Sequence, residues 1–197
     1  MLPPDTIAAL AAELAEADRN HGVMPRITAR HPEATVEDSY RIQGVWRDSR
    51  IAAGRRVVGR KIGLTSRAMQ QATGITEPDY GVMFDDTVWP SGAVIPFDNF
   101  SNVRIEVELA FVLSAPLEGP NCSVYDVLRA TEYVTPALEV LNSHIELEGR
   151  TIVDTIASLP REDVGRLVAA LRERLGVPEA PPPSGFAFGG QTQTFAN

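Results

Sequence analysis

The 197-residue chain has one cysteine, Cys122, and three histidines, His21, His31 and His144. A single cysteine excludes an internal disulfide and a cysteine-rich metal site. The histidines are scattered, with none of the spacing of a zinc ligand set. Positive charge is also scarce. The formal net charge is -8, which argues against a nucleic-acid partner, because such partners meet a basic surface. No apolar run approaches the length that crosses a bilayer. The N-terminal stretch MLPPDTIAALAAELAEADRN carries acidic residues where a secretory signal has a basic start. A cytoplasmic protein with no membrane partner is the expectation.

Hydrophobic residues make up 44% of the chain, the ordinary share for a globular domain, so one core of good size can form. Residues 5 to 20 read as an amphipathic helix, with Ile7, Leu10, Ala11 and Leu14 on one stripe and Asp5 or Thr6 as its cap. A second helix starts after Thr35, whose hydroxyl can cap it, and stops before Gly54. Beyond Gly54 the pattern changes. RRVVGRKIGL, EPDYGVMFDD, GAVIPF, RIEVELAFVL and PALEVLNSHI read as strands or turns into strands. SRAMQQATG and SVYDVLRATEYV read as short helices, the second capped by Ser123. These elements predict an α+β fold: a helical region over 1–54 and a β-rich region over 55–157. A helix over 158–176 and a Pro/Gly-rich tail over 177–197 follow.

The strand RIEVELAFVL poses the chemical question. Alternation puts Ile105, Val107, Leu109, Phe111 and Leu113 on one face, and Glu106, Glu108, Ala110 and Val112 on the other. The two carboxylates then stand roughly 7 Å apart at their backbones, and each raises the other's pKa unless a cation intervenes. Either that face meets water, or it holds a cation. Glu139 lies in another apolar run, TPALEVLNS, where a charge is rarely buried unless paired or metal-bound. Glu106, Glu108 and Glu139, with no histidine or cysteine among them, suit a hard divalent ion, Mg²⁺ or Mn²⁺.

Lys61 stands between apolar residues in GRKIGLTS, beside Gly63, where a backbone can approach a ligand closely. Beside a metal site such a lysine can act as general acid or base; away from one it snorkels to the surface. GRKIG lacks the spacing of a phosphate-binding loop. Asp79 follows Pro78 in EPDYG. It either forms a turn or orients Lys61 or a water.

GRKIGLTSRAMQ, EPDYGVMFDD, RIEVELAFVL with the following GPN, and TEYVTPALEVLNS with the later VDTI occur in order over residues 59 to 156, within a resemblance that runs from residue 5 to residue 157. Together they resemble the 2-keto-4-pentenoate hydratase family of the fumarylacetoacetate hydrolase superfamily. The resemblance implies a mixed, highly curved β-roll behind an N-terminal helical region. It also implies that Glu106, Glu108 and Glu139 hold Mg²⁺ or Mn²⁺, and that Lys61 and Asp79 are catalytic. The implied activity is addition of water to a 2-oxo-4-enoate, such as 2-oxohept-4-ene-1,7-dioate or 2-oxopent-4-enoate, in aromatic meta-cleavage catabolism. A 4-oxalocrotonate-type decarboxylase, a C–C hydrolase, or an inactive accessory chain are the alternatives. Decarboxylase relatives carry methionine after the lysine and proline between the paired glutamates. Ile62 and Val107 stand there in this chain, which favours the hydratase. The implied partners are a small 2-oxoacid and further copies in a homo-oligomer, with association to a decarboxylase relative as a further expectation. For the distal carboxylate of a dioate, Arg60, Arg67 and Arg104 are the candidates, and alternation places Arg104 on the glutamate face.

The resemblance stops after VDTIA, residues 153 to 157. SLPREDVGRLVAALRERLG and the proline-rich tail are unlike the family, so the roll is expected to be truncated or replaced at its C-terminal end.

Overall fold

A computed structural model describes residues 1–158 apart from Gly74, Glu77 and Asn102, omitting the side chains of Met69, Ala72 and Thr73; beyond 158 it describes the backbone of 163–166, 186–188 and 193–195. The chain divides into two compact units. No helix of the described residues is long and apolar enough to cross a membrane.

The first unit takes in Met1–Arg56, Val94–Arg104 and Val140–Glu162. It contains helices α1 (Pro4–Arg19), α2 (Ile27–Arg30), α3 (Val36–Ala52) and α6 (Ile152–Ser158). α1 buries the expected stripe of Ile7, Leu10, Ala11 and Leu14. Its cap differs from expectation. Pro3 occupies the N-cap and makes no side-chain bond, while Pro4 opens the helix. A first-turn proline has the right φ already and no N–H to leave unpaired, so a polar cap at Asp5 or Thr6 is superfluous. Thr35 does cap α3. It accepts from the Asp38 amide while the Asp38 carboxylate accepts from the Thr35 amide. Gly54, with φ of 90°, takes the left-handed turn that ends the helix.

Helix α3 packs against α1 and α6, with Ile42 and Trp46 buried. Gln43 donates to the Ile156 carbonyl of α6 at 3.1 Å. α2 is absent from the sequence reading. A single turn has no period to detect; it is fixed from a distance by Asp154, which accepts from the Thr28 amide at 3.0 Å and its hydroxyl at 2.7 Å.

The second unit takes in Val57–Ala93, Ile105–Glu139 and Asp163–Asn197. Its strands are β1 (Val57–Gly63), β2 (Asp79–Phe84), β3 (Val88–Trp89), β4 (Arg104–Leu113), β5 (Thr131–Leu141), β6 (Asp163–Arg166), β7 (Phe186–Phe188) and β8 (Gln193–Phe195). They pair in the order β2-β1-β7-β4-β5-β6-β3, with β8 on β4. β1 runs antiparallel to β2 and parallel to β7, so the sheet is mixed. It does not close on itself among the described residues. Helices α4 (Arg67–Thr73) and α5 (Val124–Ala130) belong to the same unit, and Ser123 caps α5 as expected.

Three local expectations change. GAVIPF is no strand: residues 93–96 are irregular and Phe97–Asn99 forms a short 3₁₀ turn. Pro96 cannot donate to a ladder, and Val94 is exposed, so nothing rewards an extended pairing there. Asp163–Arg166, inside the expected helix, is a strand whose Val164 and Gly165 pair with Val88 and Trp89. Two stretches of the expected tail also form strands, and β7 lies between β1 and β4. In each case the partner strand is distant in sequence, so local composition does not record the pairing. The remainder of 159–197 lies outside the described residues.

Candidate metal centre

The core of the second unit is a cluster of Met83, Ala110, Val112 and Ala137. Alternation sets Glu108 in line with Ala110 and Val112 on β4, and Glu139 in line with Ala137 on β5. The carboxylates therefore continue the rows that build the core. Glu108 is 2% exposed and Glu139 3%, while Glu106 lies at the open end of its row. On the opposite face Ile105, Val107 and Leu109 are exposed, while Leu113 at the far end is buried. The Glu106 end of the strand is thus open on both faces.

One carboxylate oxygen from each of Glu106, Glu108 and Glu139 lies within 4.8 Å of the other two. β4 and β5 are neighbours in the sheet, which brings the three together. Lys61, on the inward face of β1, places Nζ 2.6 Å from Glu139 Oε1. Its neighbour Arg60 faces the other way and is exposed. Three carboxylates and one ammonium meet there, with Glu108 and Glu139 buried and Glu106 exposed. An all-oxygen donor set of this kind suits Mg²⁺ or Mn²⁺. The residues fit such an ion.

Asp79 opens β2 and is 3% exposed. Its Oδ1 is buried without a hydrogen-bond partner. Burial pushes its carboxyl above the usual range, and the negative charge of Glu139 adds to the rise; Lys61 and the Gly63 backbone pull the other way without cancelling it. Asp79 thus lies in a strand, with its carboxyl in the interior. All five sequence candidates, Lys61, Asp79, Glu106, Glu108 and Glu139, belong to the second unit.

The ion pair between Lys61 and Glu139 had no signal in the sequence, because strand pairing across the sheet creates it. Arg67 opens α4 and Arg104 opens β4, both exposed.

No family model matches the chain. It is 45% identical over 163 residues to a 2-oxo-hept-4-ene-1,7-dioate hydratase of Escherichia coli, covering 80% of this chain and 61% of that one. It is 40% identical over 149 residues to a 2-hydroxypent-2,4-dienoate hydratase of Pseudomonas putida, covering 75% and 67%. Among solved structures, a 4-oxalocrotonate decarboxylase of Pseudomonas putida complexed with magnesium and adipate superposes with a TM-score of 0.79 at 32% identity, covering 84% of this chain and 64% of that one. The chain belongs to the 2-keto-4-pentenoate hydratase family. It spans 61% of the length of the first relative and 47% of a 2-keto-4-pentenoate hydratase of Paraburkholderia xenovorans.

Proposed function

We propose that this protein is a Mg²⁺- or Mn²⁺-dependent hydratase that adds water to a 2-oxo-4-enoate in aromatic meta-cleavage catabolism. The observation that carries the proposal is the meeting of three carboxylate oxygens within 4.8 Å beside a buried lysine. Kinship with hydratases of 2-oxo-hept-4-ene-1,7-dioate and 2-hydroxypent-2,4-dienoate supports the substrate class.

Glu106, Glu108 and Glu139 hold the ion in this reading. Bound there, it supplies a Lewis acid for the carboxylate and keto oxygens of a 2-oxoacid. The overall reaction puts hydroxyl on C4 and hydrogen on C5. Moving a proton from C3 to C5 first conjugates the double bond with the ketone and makes C4 electrophilic. Water then adds at C4 and a proton returns to C3. Lys61 is the group that carries protons, through Nζ, and its pairing with Glu139 holds it in place. Asp79, kept protonated more readily by burial, donates or receives a proton or orients the water.

The reading assigns the second unit to the curved roll of the family, and places the enzyme in the cytoplasm as a homo-oligomer that can associate with a decarboxylase relative. A second reading, decarboxylation of a 4-oxalocrotonate-type substrate, is supported by the superposition on the decarboxylase. Incubating the purified chain with Mn²⁺ and 2-oxopent-4-enoate, or the 1,7-dioate, tests the first. Formation of the 4-hydroxy-2-oxoacid, abolished by EDTA and restored by Mn²⁺, is the expected result. Carbon dioxide release from 4-oxalocrotonate without hydration would select the second. No turnover of either, from a chain that still binds Mn²⁺, would identify an accessory chain.

A further inference from the structure

Gly63 closes β1 directly opposite Asp79 in the antiparallel ladder with β2. A Cβ built on Gly63 would lie 2.0 Å from Asp79 Oδ1, 3.0 Å from Cγ and 3.4 Å from Oδ2. The three nearest obstacles are therefore one carboxyl group. Gly63 is not among the glycines with positive φ, so its backbone does not itself demand glycine. What demands it is the space the carboxyl fills.

The surrounding structure keeps that space from opening. The ladder fixes the Asp79 backbone, and its short side chain has two rotatable bonds with which to move away. Leu64, the next residue, takes φ of 57°, and its carbonyl accepts from Gln70 Nε2 at 2.8 Å. The exit from β1 is thus pinned on its far side. A side chain at position 63 would have to expel the Asp79 carboxyl rather than displace the strand.

We propose that Gly63 is a positioning residue, whose missing side chain is the seat in which the Asp79 carboxyl is held beside Lys61. This rests on the assignment of Asp79 to the proton-transfer machinery made above. Gly63 touches no substrate; it acts through Asp79. The sequence expectation that a backbone approaches a ligand at Gly63 becomes an approach to a side chain of the chain itself.

A double-mutant cycle tests it, using Gly63→Ala, Asp79→Ala and the double variant of the full chain loaded with Mn²⁺. Alanine at 79 removes all three obstructing atoms. Gly63→Ala should lower kcat by the same factor as Asp79→Ala, on the order of a hundredfold, with KM and Mn²⁺ affinity little changed. The double variant should be no slower than Asp79→Ala alone. Multiplying losses, or a Gly63→Ala variant with wild-type kcat, would overturn the proposal. Thermal midpoints supply a readout independent of turnover. Gly63→Ala should lower the midpoint of the wild type and leave that of Asp79→Ala in place, even if the hydratase reading fails. Equal drops in both backgrounds would overturn the seat. If Gly63→Ala does not fold, a folded double variant supports the proposal and an unfolded one refutes it.

Discussion

Lys61 Nζ and Glu139 Oε1 stand 2.6 Å apart, with only 5% and 4% of their side chains exposed. Removing one partner of a buried ion pair leaves the other charge uncompensated, at a cost of about 3 to 5 kcal/mol. Lys61→Met should lose stability on that scale in metal-free buffer, since the buried Glu139 carboxylate then loses its ammonium. Saturating Mn²⁺ should restore part of the loss. Urea unfolding with and without Mn²⁺ measures both.

Glu108 is the least exposed of the three glutamates. A ligand that binds only the folded chain stabilises it by about 2.7 kcal/mol at a hundred times its dissociation constant. Mn²⁺ with oxalate, a mimic of a 2-oxoacid, should raise the unfolding midpoint of the wild type. Glu108→Gln keeps the side-chain shape and removes the charge, and its midpoint should not move. An equal shift in the variant would place the ion elsewhere.

Asp79 sets a pH dependence of one sign. Its folded pKa is raised from 3.8, chiefly by burial, so above pH 3.8 the unfolded chain releases a proton that the folded chain still holds. Stability from this group therefore falls as pH rises from 3.8 to the folded value, then levels. Asp79→Asn should flatten that part of the metal-free stability profile, as seen by chemical unfolding at a series of pH values.

Asp154 works in the opposite sense. Burial acts to raise its pKa, but bonds from Thr151 and Thr28 outweigh burial and hold it below 3.8. Its contribution is complete above pH 3.8 and is lost as pH falls through the folded value. Asp154→Asn should weaken the protein at neutral pH and reduce the acid sensitivity that remains below 3.8. A profile unchanged by this substitution would contradict the bonding seen between α2 and α6.

Thr35→Ala removes one half of the capping box of α3. A loss of about 1 kcal/mol is expected, measurable by the same unfolding curves. Asp38→Ala should cost more, because the fully buried Asp38 carboxylate also accepts from the Leu2 amide at 2.9 Å and from Arg41 at 3.0 Å.

The helices α1 and α3 were legible because a helix writes its buried face at a fixed period, and Thr35 and Gly54 mark its ends. The glutamates were legible because alternation along β4 ties Glu106 to Glu108 whatever surrounds them. The seat at Gly63 was only half legible. The glycine announced a close approach, but which atom approached depends on the register between β1 and β2. The strands β6, β7 and β8 were not legible, since their pairing is decided by partners distant in sequence. Pro96 and the exposed Val94 undid the expected strand at GAVIPF for the same reason: an apolar run becomes a strand only where a neighbour accepts it.

The acids of β4 and β5 give the sheet a self-opposing step. Pairing β4 with β5 brings Glu106 and Glu108 to Glu139, so like charges gather as the sheet forms. Lys61 supplies positive charge at Glu139, and a divalent ion would supply more. Such an ion would be a staple of the architecture as well as a reagent, and the yield of folded protein would rise with the divalent-ion content of the medium in which the chain is made.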